Sequence, residues 1–287
     1  MPAPPRRAVA LDQTSTESLL ALGLADRMAG TAYLKTVVAP QYLADYRKVP
    51  VLSPKALTAE QLRAANPDLV VSGFASAYTR DKVGTRAELA ALGVPTFVSA
   101  ADCPAPDRSP FDQLAGDLDQ LGRIFGVGDR AAALVAEQRA AVDRAAASRS
   151  RTHGSPTVVW LYSTIKGVPY VAGRGGMPSA MSALAGARNA FNDLDQAWPE
   201  VSWEEIARRA PDVIVIGDLS ERGAPGDKAA EKIAALRGHP VLSKLPAVAN
   251  ERFITVPGIE LDPSVRSTHA LGLFLDGLVA LGHRDAG

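Results

Sequence analysis

The sequence predicts an α/β protein made of two mainly parallel-sheet lobes joined by one long helix. Three observations predict this: an internal repeat, strands alternating with helices around each copy, and a long Ala- and Arg-rich helical stretch between the copies. In the first copy, Leu57-Thr58-Ala59-Glu60-Gln61-Leu62 leads through Asn66-Pro67-Asp68 into Leu69-Val70-Val71-Ser72-Gly73. In the second, Val201-Ser202-Trp203-Glu204-Glu205-Ile206 leads through Ala210-Pro211-Asp212 into Val213-Ile214-Val215-Ile216-Gly217. The copies align without a gap. Each reads as a hydroxyl N-cap, a short helix with an acidic first turn, a Pro-Asp turn and a buried strand.

The other elements follow in order. A short apolar strand at 8–11 precedes a helix at 15–22 that ends at Gly23. A helix at 87–92, closed by Gly93, precedes a strand at 95–98. Residues 112–125 repeat apolar side chains at Leu114, Leu118, Leu121 and Phe125, a helical spacing. Gly126-Val127-Gly128 breaks that helix, and Asp129 is placed to cap a second one running to about Ser148, roughly 30 Å long. It reads either as a stiff strut between the lobes or as a surface helix of one of them; the repeat on either side favours the strut. The second lobe begins with a strand at 157–162 and a helix at 178–185. It closes with a strand at 252–256 and an apolar helix from about 263 to 281, with Pro263 in its first turn. Alternation of this kind gives parallel sheets with covered faces. The expected division is 1–127 for the N-terminal lobe, 128–150 for the interlobe helix and 151–287 for the C-terminal lobe.

Composition narrows the function. With 31 basic and 31 acidic residues the chain lacks the basic excess of a nucleic-acid binder. One cysteine, Cys103, excludes an internal disulfide or a Cys-based zinc site. No apolar run reaches the ~18–20 residues of a membrane span. Enzyme motifs are missing: Gly126-Val127-Gly128 follows a helix and lacks a third glycine, and Gly173-Arg174-Gly175-Gly176 lacks the Lys-Ser/Thr of a P-loop. The four histidines, at 153, 239, 269 and 283, form no H-x-x-x-H pair. Neither a catalytic constellation nor a protein-held metal is expected.

The loops after the strands are more telling, because parallel α/β sheets bind ligands beyond the carboxyl ends of their strands. These loops hold Thr14, then Phe74 to Arg80 including Tyr78, then the stretch from Ser163 through Tyr170 and Arg174, then Arg222. Aromatic, arginine and hydroxyl side chains there suit a bulky, partly apolar ligand with oxygen acceptors.

In this setting the chain resembles the class III substrate-binding proteins of ABC importers, which capture ferric siderophores, haem and cobalamin. The resemblance runs from Val9 to Leu281. It is carried by Thr16-Glu17-Ser18-Leu19-Leu20-Ala21-Leu22-Gly23, Asn66-Pro67-Asp68-Leu69-Val70, Leu92-Gly93-Val94-Pro95, Ala185-Gly186-Ala187-Arg188-Asn189-Ala190-Phe191 and Trp198-Pro199-Glu200-Val201-Ser202-Trp203-Glu204, in the family's order. It implies the class III periplasmic-binding fold, with the ligand in an interlobe cleft and a helix joining the lobes. It also implies an extracytoplasmic chain, periplasmic or lipid-anchored, whose leader is absent from this sequence; the usual lipobox cysteine is missing, and Cys103 is too internal to replace it. Glu60 and Glu204 match the carboxylates that dock on permease arginines, although each also sits where a helix dipole favours an acid. The family pattern places ligand aromatics at Tyr33, Tyr170 and Trp198, with Arg174 following; Trp198 could equally staple the repeat helix.

The candidate ligand set is therefore Thr14, Tyr33, Tyr78, Arg80, Tyr170, Arg174, Trp198 and Arg222, with Glu60 and Glu204 for permease docking. The expected ligand is a metal already wrapped in its chelator, a ferric siderophore first and cobalamin or haem next, bound by a monomer without a resident cofactor. A reading of another class is a cytosolic α/β enzyme such as a chelatase.

Overall fold

The apolar strand segments assemble into two five-stranded sheets. The structure, a computed structural model, describes residues 3–103 and 107–286. It groups them into two units whose main division falls inside one long helix, between Arg139 and Ala140, with the short segments 107–111 and 263–265 grouped with the second and the first unit, respectively.

In the first unit, β1 (Ala8–Ala10), β2 (Met28–Ala32), β3 (Val51–Ser53), β4 (Leu69–Ser72) and β5 (Thr96–Val98) lie in the order β3-β2-β1-β4-β5. Every pairing is parallel. Parallel neighbours need crossovers, supplied by α1 (Gln13–Ala21), α2 (Leu43–Tyr46), α3 (Ala59–Ala64) and α4 (Arg86–Ala91). The two-residue period of the strands separates two cores. Ala8, Ala10, Leu69 and Val71 pack with Leu19 of α1 and with Leu121 and Phe125 of α5 (Pro110–Phe125), whereas Val9 and Val70 pack with Leu62 and Leu89 on the other face. Then comes α6 (Gly128–Ala147), the helix in which the units divide.

The second unit holds β6 (Thr157–Ile165), β7 (Val168–Val171), α7 (Met177–Ala185), β8 (Arg188–Asn189), α8 (Trp203–Arg209), β9 (Val213–Asp218), α9 (Ala229–Gly238), α10 (Pro246–Ala249), β10 (Phe253–Pro257) and α11 (Ser267–Ala280). The order is β10-β9-β6-β7, with β8 beside the start of β6. Among the described strands of this unit, β6 and β7 pair antiparallel and the other pairings are parallel. Its two-residue turn, Lys166-Gly167, has φ of 52° and 81°, the left-handed pair that matches strand twist in a tight hairpin.

The repeat is structural. Thr58 and Ser202 cap α3 and α8, accepting from the amides of Gln61 and Glu205 at 3.2 and 3.1 Å. The aspartate of each Pro-Asp turn then fastens the first strand of its own unit. Asp68 accepts from the amides of Arg6 and Arg7 at 2.7 and 2.9 Å, and Asp212 accepts from Thr157 at 2.8 Å.

Some expectations need correction. The closing helix begins at Ser267, not near 263, because Arg266 turns its guanidinium back onto the buried Glu260 carboxylate and Pro263 stays in the preceding turn. The long helix starts at Gly128, so Asp129 lies in its first turn and not at its cap. Strands β2, β3, β7 and β8 and helix α9 were not legible. In β2, Met-Ala-Gly-Thr-Ala has little β-branched character. A Cβ on its Gly30 would come within 2.5 Å of Leu52, so packing selects a small residue against strand propensity.

Candidate functional site

In the first unit the strand order reverses between β1 and β4, and the crevice beyond their carboxyl ends is where such a sheet takes a ligand. Asp12 organises this point. Its buried carboxylate caps α1 through the Ser15 amide at 2.8 Å, and accepts from the Ser72 hydroxyl at 2.6 Å and the Gly73 amide at 2.8 Å. Beside it a pocket of about 70 Å³ is lined mainly by apolar groups, among them Leu11, Tyr33, Leu57, Phe74 and Val83. Tyr33 follows β2 with φ of 53°, an unfavourable conformation for a residue with a Cβ, and remains 42% exposed. The Lys35 ammonium lies 5.4 Å from the centre of the Phe74 ring, a cation–π contact. Lys82 donates to the Ser76 carbonyl oxygen at 2.6 Å.

In the second unit, Tyr170, Arg174 and Trp198 share one neighbourhood. The strand end 171–174 runs beside 194–199, tied by the amides of Val171, Gly173 and Arg174 to the carbonyls of Pro199, Ala197 and Leu194. Gly173 permits the approach: a Cβ there would stand 2.1 Å from the Gln196 carbonyl oxygen. Tyr170 donates its hydroxyl to Glu200 at 2.9 Å, and this carboxylate pushes the phenol's pKa up. Arg174 pairs with Asp195. Trp198 stacks on Tyr162 with ring centres 4.3 Å apart, so packing on β6 and exposure of part of the indole occur together. Trp203 instead donates to the Gly167 carbonyl and pins the hairpin turn to α8.

Next to them, Arg222 holds the buried Asp227 with two nitrogens and reaches 3.4 Å from the Ser163 hydroxyl. Lys232 is fully buried and donates to the carbonyls of Tyr162 and Gly217, at the ends of β6 and β9. Burial pushes its ammonium pKa down to about 8. Asp12, Asp227 and Lys232 were not singled out from the sequence, since the partners of a buried charge show only in three dimensions, and Phe74 was read only as the start of its loop.

Two expected ligand residues face inward. Tyr78 is 6% exposed, with its ring in the core and its hydroxyl 3.0 and 2.8 Å from the carbonyl oxygens of Val70 and Phe97. Thr14 is 5% exposed and lines a cavity of about 20 Å³ with Phe97, Ser99 and Leu114. Both side chains are packed within the first unit. Arg80 is exposed and paired with Glu88 of α4, and it is not among the residues lining the first-unit pocket.

Glu60 and Glu204 occupy the same position, the second residue of α3 and of α8, and both are exposed. Glu204 has its pKa lowered by its own backbone amide and the Ser202 hydroxyl. Among the described residues no cluster of three His, Cys, Asp or Glu is arranged to hold a metal ion. No described helix is long and apolar enough to cross a membrane.

A family profile described as periplasmic binding protein matches residues 9–259. The chain is 28% identical over 213 residues to a vitamin B12-binding protein of Yersinia pestis, covering 73% of this chain and 69% of that one. Its fold is similar to that of a periplasmic binding protein from Veillonella parvula, with a TM-score of 0.87, 27% identity and coverage of 97% and 92% of the two chains. It is also similar to a protein of an ABC-type Fe3+-hydroxamate transport system from Saccharomonospora viridis, with a TM-score of 0.79, 25% identity and coverage of 97% and 94%. The chain belongs to the periplasmic binding protein family, and within it to the class III substrate-binding proteins of ABC importers.

Proposed function

We propose that this chain captures a metal chelate outside the cytoplasm and delivers it to an ABC permease, without catalysing a reaction. The observation that carries this is the family match over residues 9–259, which spans both copies of the repeat. The strand-end loops supply the chemistry. Tyr33 and Phe74 offer apolar and aromatic surface in the first unit, and Tyr170, Arg174, Trp198 and Arg222 offer aromatic faces and hydrogen-bond donors in the second. The metal arrives inside its chelator.

A ferric hydroxamate is the first ligand of this proposal, in keeping with the Saccharomonospora relative. Cobalamin is the second, favoured by the vitamin B12-binding relatives; haem follows. Glu60 and Glu204 dock on the permease, one carboxylate from each unit, and the protein acts as a monomer. Tryptophan fluorescence titration tests the ligand, with Trp198 on its Tyr162 stack as reporter. The panel is ferric desferrioxamine B, a ferric catecholate, haemin, cyanocobalamin and free ferric ion, with inner-filter controls. Saturable quenching by one chelate but not by free iron is the expected outcome. Silence across the panel, repeated by calorimetry, would sink the proposal.

A further inference from the structure

The segment that carries Tyr33 is held down by two buried side chains of α1. Gln13 and Glu17 are 2% and 1% exposed. The Gln13 amide oxygen accepts from the backbone amides of Lys35 and Thr36 at 3.0 and 2.9 Å. Its nitrogen donates to the Val37 carbonyl oxygen at 3.2 Å and to the Glu17 carboxylate at 2.9 Å. The same carboxylate oxygen accepts from the Ala39 amide at 3.2 Å. Four backbone groups of an irregular segment are thus satisfied by one helix turn, in place of a ladder or water.

What the segment presents is apolar and open. Tyr33 and Val37 are 42% and 66% exposed, among the large hydrophobic side chains left uncovered, and Tyr33 stands at the rim of the first-unit pocket. Its left-handed backbone persists only where the surroundings fix it. Lys35, whose amide is one of the clamped groups, places its ammonium 5.4 Å from the centre of the Phe74 ring, which lines the same pocket as Tyr33.

We propose that the first-unit pocket takes an uncharged, apolar portion of the ligand, and that Gln13 with Glu17 are positioning residues that set Tyr33 over it before the ligand arrives. This rests on the chelate-binding role proposed above. Setting the wall in advance removes the ordering cost that a free loop would impose on binding.

The test joins a double-mutant cycle to hydrogen exchange. Gln13→Met keeps the side chain's length and loses its hydrogen bonds; Tyr33→Ala removes the presented ring. Titrations use ferric desferrioxamine B and cyanocobalamin as probes. Each single variant is expected to weaken the probe that binds by about tenfold, and the double variant by no more than either single, since the clamp acts through Tyr33. In the free protein, exchange at Lys35 and Thr36, whose amides donate to Gln13, is expected to rise about tenfold or more in Gln13→Met, with the unfolding midpoint read alongside. Additive losses, or unchanged exchange at these amides, would overturn the clamp while leaving the chelate-binding role intact. Failure of the wild-type protein to bind any chelate of the titration panel would remove both.

Discussion

At the scale of single residues, the second unit is built around a buried lysine. Lys232 fills the space at the ends of β6 and β9 and satisfies two strand-end carbonyls that would otherwise face apolar packing. Burial lowers its pKa from 10.5 to about 8, with the Arg222 guanidinium acting in the same direction. The sign follows from proton counting. Between these two values the unfolded chain holds a proton that the folded chain has released, so stability rises with pH across the window and falls back as the pH drops toward 8. Above about pH 10 the buried Tyr78 hydroxyl, whose pKa is raised, works against this, because the unfolded phenol ionises first. Denaturant midpoints between about pH 8 and about pH 10 should therefore rise, by on the order of 2 kcal/mol in stability. In Lys232→Met the same measurement should give a flatter profile; an identical rise in the variant would assign the effect to other groups.

At the scale of elements, the repeated cap–helix–Pro-Asp–strand segment does two jobs. Its aspartate fastens the first strand of each unit, and its helix start exposes a carboxylate at one equivalent position, Glu60 or Glu204. Replacing both glutamates by Ala is expected to abolish uptake in cells carrying the permease, while the affinity for the chelate stays within about twofold, surface charges away from the ligand acting little on it. Loss of affinity in that double variant would move these residues from docking to the ligand site. This element was legible in the sequence because it is local: the hydroxyl, the acid and the Pro-Asp turn lie within a few residues of one another. β2 and the clamp were not. β2 is a strand through its pairing with β1 and β3 despite weak propensity, and Gln13 looks like any polar first-turn residue until the 35–39 segment is folded against it. The burial of Tyr78 and Thr14 was hidden for the same reason: loop position was readable, but the direction of a side chain was not.

At the scale of the whole molecule, charge is matched within each unit. The chain's net charge is zero, and the arginines near the strand ends already have partners: Arg80 with Glu88, Arg174 with Asp195, Arg222 with Asp227 and Arg266 with Glu260. These pairs differ in strength. Arg80 and Arg174 are largely exposed, and an exposed pair is worth about 0–1 kcal/mol, so either could turn toward a ligand oxygen at little cost. Arg222 and Arg266 hold carboxylates that are 2% exposed, and breaking such a pair strands a buried charge at about 3–5 kcal/mol. A polyanionic chelate that needed Arg222 or Arg266 beyond the two exposed arginines would recruit them against that cost. A neutral chelate needs only the aromatic faces and the donors' outer edges. Binding of the preferred chelate is therefore expected to change by less than about threefold between about 50 mM and about 500 mM sodium chloride, because salt screens long-range attraction and leaves apolar contact in place. Calorimetry across that range checks it. A loss of tenfold or more would mean that the arginines leave their carboxylates when the ligand arrives, and the ligand would then be an anion.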